Sequence, residues 1–342
     1  MRVGLLGTGA IANKHAQAYK NIGFELVACS NKTESRGREF AERWNTKFIA
    51  DYRELCRYPG LDYIDVCTFP DFHLEPVRAC AEIKRHVMVQ KPVATNLETA
   101  REMVDVARSA GITFGVMSQH RFDDSTLFLK RALAAGRMGK LLQADAYVKW
   151  FRSDEYYSRP IKGSWHTEGG GALINQAIHQ VDVLLYLMGP VNWVSGIWQL
   201  GARHKIESED VVNAILSYQS GATGVIQAAT AFWPGYPERI EFHGTKGTAI
   251  VSGDRLTTWD VLNDDEANHA DPAPVEQNVA SGASDPMAIS VTSFERQFRD
   301  FADAINSGRP PVVDGHEGYR ALEVVLSVYQ SCRDRQPVEL RL

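Results

Sequence analysis

The run Val3-Gly4-Leu5-Leu6-Gly7-Thr8-Gly9-Ala10-Ile11-Ala12 constrains this chain more than any other stretch. A short apolar strand leads directly into a Gly-x-Gly-x-x-Ala turn, and a helical pattern follows to about Lys20. In such a turn the first glycine, Gly7, lets the chain reverse tightly. The second, Gly9, lets backbone N–H groups of the helix start, including those of Ala10 and Ile11, approach a pyrophosphate. Ala12 takes the third glycine's place, where helix and strand pack closely. A second strand at Glu25 to Ser30 arrives where this βαβ unit needs it, so the spacing predicts a dinucleotide-binding sheet.

The end of that second strand commonly carries an acid that holds the ribose 2′-hydroxyl of NAD. Here it reads Ser30-Asn31-Lys32-Thr33. With no carboxylate to repel it, a 2′-phosphate is acceptable, with Lys32 as a point charge and Arg36 within reach. Asn31 can still bond a plain hydroxyl, so both cofactors stay open, with a lean to NADP. Strand patterns at Phe48 to Ala50, Ile64 to Thr68, Val87 to Gln90 and Ile112 to Met117 alternate with helical ones at Asp51 to Arg57, His73 to Lys84 and Thr95 to Ala110. Thr95 and Glu98 make a capping box for the last of these, and Gly111 closes it. The alternation predicts a doubly wound parallel sheet, whose ligands bind beyond the carboxyl ends of the strands. Thr68-Phe69-Pro70 and Gln90-Lys91-Pro92 fall there. Proline pushes Lys91 out of the helical region, onto a turn over the crevice.

From near Arg121 the period changes. After a helix at Asp124 to Ala135, alternating runs at Leu142 to Trp150, Val194 to Gln199, Val211 to Tyr218, Thr223 to Thr230, Arg239 to His243 and Thr248 to Val251 predict a second, α+β domain. Its sheet is large, open and mostly antiparallel. Thr292 to Ile305 and His316 to Cys332 read as helices, and the polar segment Asn263 to Met287 as a surface excursion or flap. The domains are thus 1–120 and 121–342. Between the second domain's first strand and its first glycine run lies an aromatic, basic loop with Lys149, Trp150, Arg152, Tyr156, Tyr157, Arg159, Lys162 and Trp165. Aromatic faces pack on sugar rings, and cations bond hydroxyls or anions. Next comes Gly169-Gly170-Gly171-Ala172-Leu173-Ile174-Asn175-Gln176-Ala177-Ile178-His179-Gln180-Val181-Asp182, in which Asn175, His179 and Asp182 share a helical face. Neutral imidazole is a base near pH 7, although a histidine beside Leu184, Leu185 and Leu187 is also a common structural residue.

A chain of 342 residues, 44% hydrophobic with net charge -5, can bury two cores and has no polybasic patch for nucleic acid. Five scattered cysteines lack zinc-site spacing and read as reduced core thiols. No apolar run approaches a membrane span, so the expected location is the cytoplasm, without membrane or metal partners.

Taken together, Gly7 to Ala12, Thr68-Phe69-Pro70-Asp71-Phe72-His73, His86-Val87-Met88-Val89-Gln90-Lys91-Pro92, His120-Arg121-Phe122, Trp165 and Asn175 to His179 resemble the Gfo/Idh/MocA family of glucose–fructose oxidoreductases and inositol dehydrogenases. Gln90 departs from that family's Glu-Lys-Pro motif. Asn175 stands where most members carry Asp, in an Asn-Gln form similar to a branch acting on sugars and nucleotide sugars. The resemblance implies that Lys91, Asn175 and His179 are catalytic. It implies cofactor contacts from Gly7, Gly9, Ala10, Ile11, Asn31, Lys32, Arg36, Thr68, Pro70, His73, Gln90, Lys91 and Gln119. Substrate contacts would come from Lys91, Arg121, Arg152, Tyr157, Trp165, Asn175 and His179, and the open sheet would form a homodimer or homotetramer. The expected function is NAD(P)-dependent oxidation of a secondary hydroxyl of a sugar, cyclitol or sugar derivative, or the reverse. The alternative is a non-catalytic dinucleotide-binding sensor.

Overall fold

Strands that are apolar on both faces are satisfied only in a sheet covered by helices, and the first part of the chain is built this way. The computed structural model describes residues 1–159, 161–263 and 290–340. The chain divides into two compact units, Met1–Gln119 with Ser290–Leu322, and His120–Ile289 with Glu323–Leu342. The first contains β1 (Arg2–Leu6), α1 (Ala10–Ile22), β2 (Glu25–Ser30), α2 (Glu34–Trp44), β3 (Lys47–Phe48), α3 (Tyr52–Arg57), β4 (Tyr63–Val66), α4 (Leu74–Glu82), β5 (His86–Val89), α5 (Leu97–Ala110) and β6 (Phe114–Val116). All six strands are parallel, in the order β3-β2-β1-β4-β5-β6. Connections leave β1 and β4 in opposite directions along the sheet, so the turns after these two strands border its ligand crevice.

The strands are shorter than their apolar runs, with Thr68, Gln90 and Met117 lying just past the ends of β4, β5 and β6. Two local expectations change. Helix α2 had no counterpart in the sequence reading; its buried face is only Gly37, Phe40 and Ala41, too narrow a stripe to declare its period. Helix α5 is capped not by Thr95 but by Asn96, whose side-chain oxygen accepts from Thr99 N at 2.8 Å.

The second unit contains α6 (Asp124–Ala134), β7 (Leu141–Lys149), the short α7 (Asp154–Tyr157), α8 (Ile178–Met188), β8 (Val191–Leu200), β9 (Glu209–Tyr218), β10 (Thr223–Ala229), β11 (Arg239–Gly244), β12 (Gly247–Ser252) and β13 (Arg255–Val261). After it come α9 (Thr292–Ser307), α10 (Gly315–Asp334), which the two units share, and β14 (Val338–Glu339). The eight strands lie in the order β13-β12-β11-β7-β10-β9-β8-β14, and only β7 with β10 is parallel. Strand β13 was not expected, although the Gly253-Asp254 turn before it is a hairpin signal. Along β9, Ala214, Leu216 and Tyr218 point inward while Asn213 and Ile215 are exposed. Every residue of α8 except Tyr186 is buried, as its apolar circumference requires. The expected flap, Asn263 to Met287, lies outside the described residues except for Asn263.

Residues 290–322 belong with the first unit, not the second as the sequence suggested. The cause is aromatic packing. Phe294 and Phe298 of α9 meet His15, with ring centroids 5.3 and 5.0 Å apart, Phe298 meets Tyr19 at 4.3 Å, and Phe301 meets Tyr63 at 5.1 Å. Three buried phenylalanines bind a helix to its neighbours by several kcal/mol, at about 2 kcal/mol each.

Candidate active site

In the first unit the glycine-rich turn follows β1. Gly7 has φ +92°, and its N–H donates to the Ser30 carbonyl at 2.8 Å. A Cβ there would lie 2.8 Å from the Cys67 carbonyl, so packing against the turn after β4 makes glycine obligatory. Gly9 differs: its φ is an ordinary -74°, and among the described residues nothing lies within 4 Å of the Cβ it lacks. No side chain caps α1, and the buried hydroxyl of Thr8 has no hydrogen-bond partner among the described residues. Open N–H groups, an orphaned hydroxyl and free space at a helix N-terminus fit a bound pyrophosphate. Ala10 is exposed and Ile11 half-buried at this end, while Ala12 is fully buried against the sheet.

Asn31 joins the turn to β2, accepting from Thr8 N at 3.2 Å and donating to the Thr33 carbonyl at 2.9 Å. One donor and one lone pair remain for a ribose. Lys32 and Arg36 are exposed and make no ion pair among the described residues. Thr68 is half-buried, and Pro70 buried, in the turn after β4. His73, expected at the cofactor, is fully buried, its ring nitrogens 2.9 Å from the Val93 carbonyl and 3.2 Å from that of Thr68. It ties this turn down from behind, and burial lowers its pKa. Gln119 is likewise only 2% exposed and presents almost no surface to a ligand.

Gln90 is also turned inward. Its Nε2 donates to His15 Nε2 at 2.7 Å, and its Oε1 accepts from Lys91 N at 3.2 Å. With Nε2 accepting, His15 must donate from Nδ1 to Asp65, 2.6 Å away, a carboxylate that Tyr19 also donates to at 2.6 Å. Gln90 therefore holds the Lys91 backbone instead of reaching a ligand. His15, Asp65 and Cys67 are close enough to share a metal, but the cluster is internally hydrogen-bonded and burial pushes the Cys67 thiol well up, away from the thiolate a metal needs. Lys91 is half-buried, and its bond to Pro92 is cis.

In the second unit the triple glycine is packed from both sides. A Cβ on Gly170, whose φ is +148°, would meet the Tyr329 ring, and one on Gly171 would collide with the Glu209 carbonyl. The Glu209 carboxylate accepts from Gly171 N and Leu173 N, each at 2.8 Å, and from the Tyr329 hydroxyl at 2.6 Å. Burial nevertheless pushes this carboxyl up to about 7. Pinned there, the chain enters α8 through a π-helical turn, Leu173–Ala177, a form concentrated at functional sites. Asn175 lies half-buried in that wider turn, so its spacing to His179 is not the plain helical step expected. His179 is 9% exposed in the first turn of α8.

Several expected substrate residues have other employment. Arg121, 2% exposed, forks onto Asp182 at 2.7 and 2.6 Å and lies over the Tyr186 ring, so neither member of the pair is presented to a ligand. Arg152 is buried between the Trp150 and Tyr156 rings and donates to the Phe151 carbonyl. The Tyr157 hydroxyl pairs with Thr230 at 2.8 Å. Trp165 packs on Trp198 and Tyr329, its indole N–H donating to the Glu207 carbonyl. Of these, Trp165 adjoins the glycine turn, through the Tyr329 ring that packs on Gly170. Sequence reasoning missed Glu209 and Tyr329, which nothing local marks, and assigned no role to His120 and Asp123, whose three-residue spacing was visible.

The comparisons with known proteins agree with both halves. An oxidoreductase family with an NAD-binding Rossmann fold matches residues 1–118, and the GFO/IDH/MocA C-terminal domain matches residues 126–250. The chain is 29% identical to the myo-inositol 2-dehydrogenase of Thermotoga maritima, over 99% of this chain and 98% of that protein. It is 26% identical to the scyllo-inositol 2-dehydrogenase (NAD(+)) of Bacillus subtilis, over 99% and 96%. Among solved structures, the WlbA dehydrogenase from Bordetella pertussis, in complex with NADH and UDP-GlcNAcA, superposes with a TM-score of 0.86 at 27% identity, covering 100% of this chain and 99% of that one. With a glycine turn shaped for a dinucleotide in one unit and a histidine beyond a π-turn in the other, the chain belongs to the Gfo/Idh/MocA family of oxidoreductases.

Proposed function

We propose that this oxidoreductase is an NAD(P)-dependent dehydrogenase that oxidises a secondary hydroxyl of a sugar, cyclitol or sugar derivative, or reduces the corresponding ketone. The observation that carries the reading is the open Gly9 turn, which leaves space and unsatisfied donors where a dinucleotide phosphate is held. Two relatives are inositol dehydrogenases and a third binds NADH with a nucleotide sugar, which supports catalysis over a sensor. When bound, the nicotinamide supplies the hydride acceptor. The chain's own residues handle the hydroxyl proton: His179 accepts it, Asn175 orients the hydroxyl or the ring, and Lys91 polarises the oxygen. Reduced-nicotinamide absorbance with a panel of sugars and cyclitols tests this. His179→Ala and Lys91→Ala should each lower kcat by ~10² to 10⁴ while cofactor affinity stays largely intact. Tight cofactor binding without turnover on any of them would restore the sensor.

Within that reading, the exposed Lys32 with Arg36 favours NADP over NAD. Lys32→Ala should weaken NADP roughly tenfold and leave NAD nearly unchanged; an equal response of both would remove Lys32 from phosphate recognition. The outward face of the second sheet, with Ile197 69% and Ile215 52% exposed on neighbouring strands, supports a homodimer or homotetramer through it. Among the described residues no helix is long and apolar enough to cross a membrane. All five cysteines are buried free thiols, which supports a reducing, cytoplasmic setting.

A further inference from the structure

The proposed base has a second imidazole packed on it. The rings of His120 and His179 stand edge to face, centroids 5.0 Å apart and planes at 79°. Nδ1 of His120 lies 2.7 Å from the Asp123 carboxylate, and their side chains are only 18% and 9% exposed. A carboxylate in hydrogen-bond contact and sheltered from water favours the imidazolium. Burial alone would push His120 down, but Asp123, with Glu238 and Asp254 adding the same sign, outweighs it and holds His120 up to about 9. At neutral pH His120 therefore carries a positive charge.

Among the described residues, the other charged groups near α8 are paired or face elsewhere. Arg121 and Asp182 neutralise each other. On α6, Lys130 donates to the Tyr186 carbonyl at the far end of α8, and Asp124 and Arg131 carry opposite charges. The face of β7 beneath the helix offers only Ala144, Ala146 and Val148, all fully buried, and the π-turn has no ionisable residue. Glu209 and Tyr329 hold the start of that turn, and Glu238 acts on His120 with the same sign as Asp123.

We propose that the His120–Asp123 pair is an electrostatic positioning device, a cation locked beside His179 that keeps its imidazole neutral and ready to accept a proton at lower pH than an isolated histidine. The inference rests on His179 as the base of the reaction proposed above. In turnover the substrate O–H breaks and its proton forms an N–H bond on His179. Repulsion from His120 then drives that proton on to solvent and returns the base. A cation about 5 Å away, partly offset by Asp123 behind it, is worth roughly one pH unit, or tenfold in the protonation equilibrium.

Titrating ¹³C-labelled histidines by NMR in the free protein reads His179 directly, without turnover. His120→Gln should raise the His179 midpoint by one pH unit or more, because it leaves the Asp123 carboxylate behind. His120→Lys, which keeps the cation, should stay near the parent. If His120→Gln folds poorly, the double variant His120→Gln/Asp123→Asn removes both charges and should still raise the midpoint by about one unit. The acid limb of kcat/KM should move with the midpoint. A His179 midpoint unchanged in the Gln variants, or shifted equally by Lys and Gln, overturns the proposal. A midpoint that moves while the acid limb stays fixed supports the coupling and refutes His179 as the base.

Discussion

Asp182→Ala is the substitution whose cost the structure sets most clearly. The Asp182 carboxylate and the Arg121 guanidinium share two hydrogen bonds of 2.6 and 2.7 Å, with side-chain exposures of 5% and 1%. Removing the carboxylate leaves a guanidinium buried over the Tyr186 ring, 4.7 Å from its centroid, without the forked partner it is paired with. Losing one partner of a buried pair costs about 3 to 5 kcal/mol, mainly the desolvation of the charge left behind. That is a large share of the ~5 to 15 kcal/mol that holds a typical domain. The exposed pair Arg43–Glu39, 55% and 69% exposed, is the internal control; Glu39→Ala should cost no more than about 0.5 kcal/mol. The double variant Arg121→Met/Asp182→Leu removes both charges and keeps the volume, so it should recover most of the loss. Urea unfolding followed by circular dichroism measures all three. An Asp182→Ala protein within ~1 kcal/mol of the parent would refute the desolvation reasoning. A double variant as unstable as the single one would shift the cause from charge to shape.

Three further outcomes follow, at Gly7, Gly9 and Glu209. Gly7→Ala should destabilise by more than ~2 kcal/mol, since it adds both a strained φ and a backbone clash. Gly9→Ala should stay within ~1 kcal/mol in stability yet lose at least about tenfold in dinucleotide affinity, as thermal shift with and without cofactor will show; equal stability losses would remove the distinction. Glu209 is fully buried, and burial raises its folded-state pKa from the ordinary carboxyl range to about 7, so its protonated form favours folding at low pH. That contribution is complete below about pH 4.5 and lost as pH rises through about 7. Glu209→Gln should abolish a pH-dependent loss of roughly 3 kcal/mol over that window, seen as urea midpoints that no longer fall.

What was legible in the sequence is what the chain does locally. The glycine turn, its strand and its helix lie within about twenty consecutive residues, and their hydrophobic period and backbone needs can be read without knowing any partner. The second domain's strands were legible for the same reason, through alternation. What escaped depends on distant neighbours. Arg121 looks like a ligand-binding cation until Asp182 is found opposite it, 61 residues away. Glu209 reaches Gly171 across 38 residues and Tyr329 across 120. The phenylalanines of α9 gave a clear helix but no clue that their partners are His15, Tyr19 and Tyr63. The π-turn was invisible because one inserted residue shifts a helical period by less than the scatter of any apolar pattern.

Two glycines separate a structural role from a ligand-binding one. Gly9 and Gly171 look alike in sequence, each next to a helix that bears on the chemistry. At Gly171 the missing side chain is replaced by protein, because the β9 backbone at Glu209 occupies the space a Cβ would take. At Gly9 the space stays open, and neither its φ nor its packing asks for glycine. A glycine whose absent Cβ is filled from within the fold explains rigidity: here it lets a buried carboxylate grip two N–H groups of the turn that carries Asn175. A glycine with an ordinary φ whose Cβ would meet nothing is not required by the fold, and its bare backbone is of use to a group from outside the chain. The triple glycine thus fastens the proton-handling turn, while the space left at Gly9, beside the unpartnered Thr8 hydroxyl, suits the cofactor.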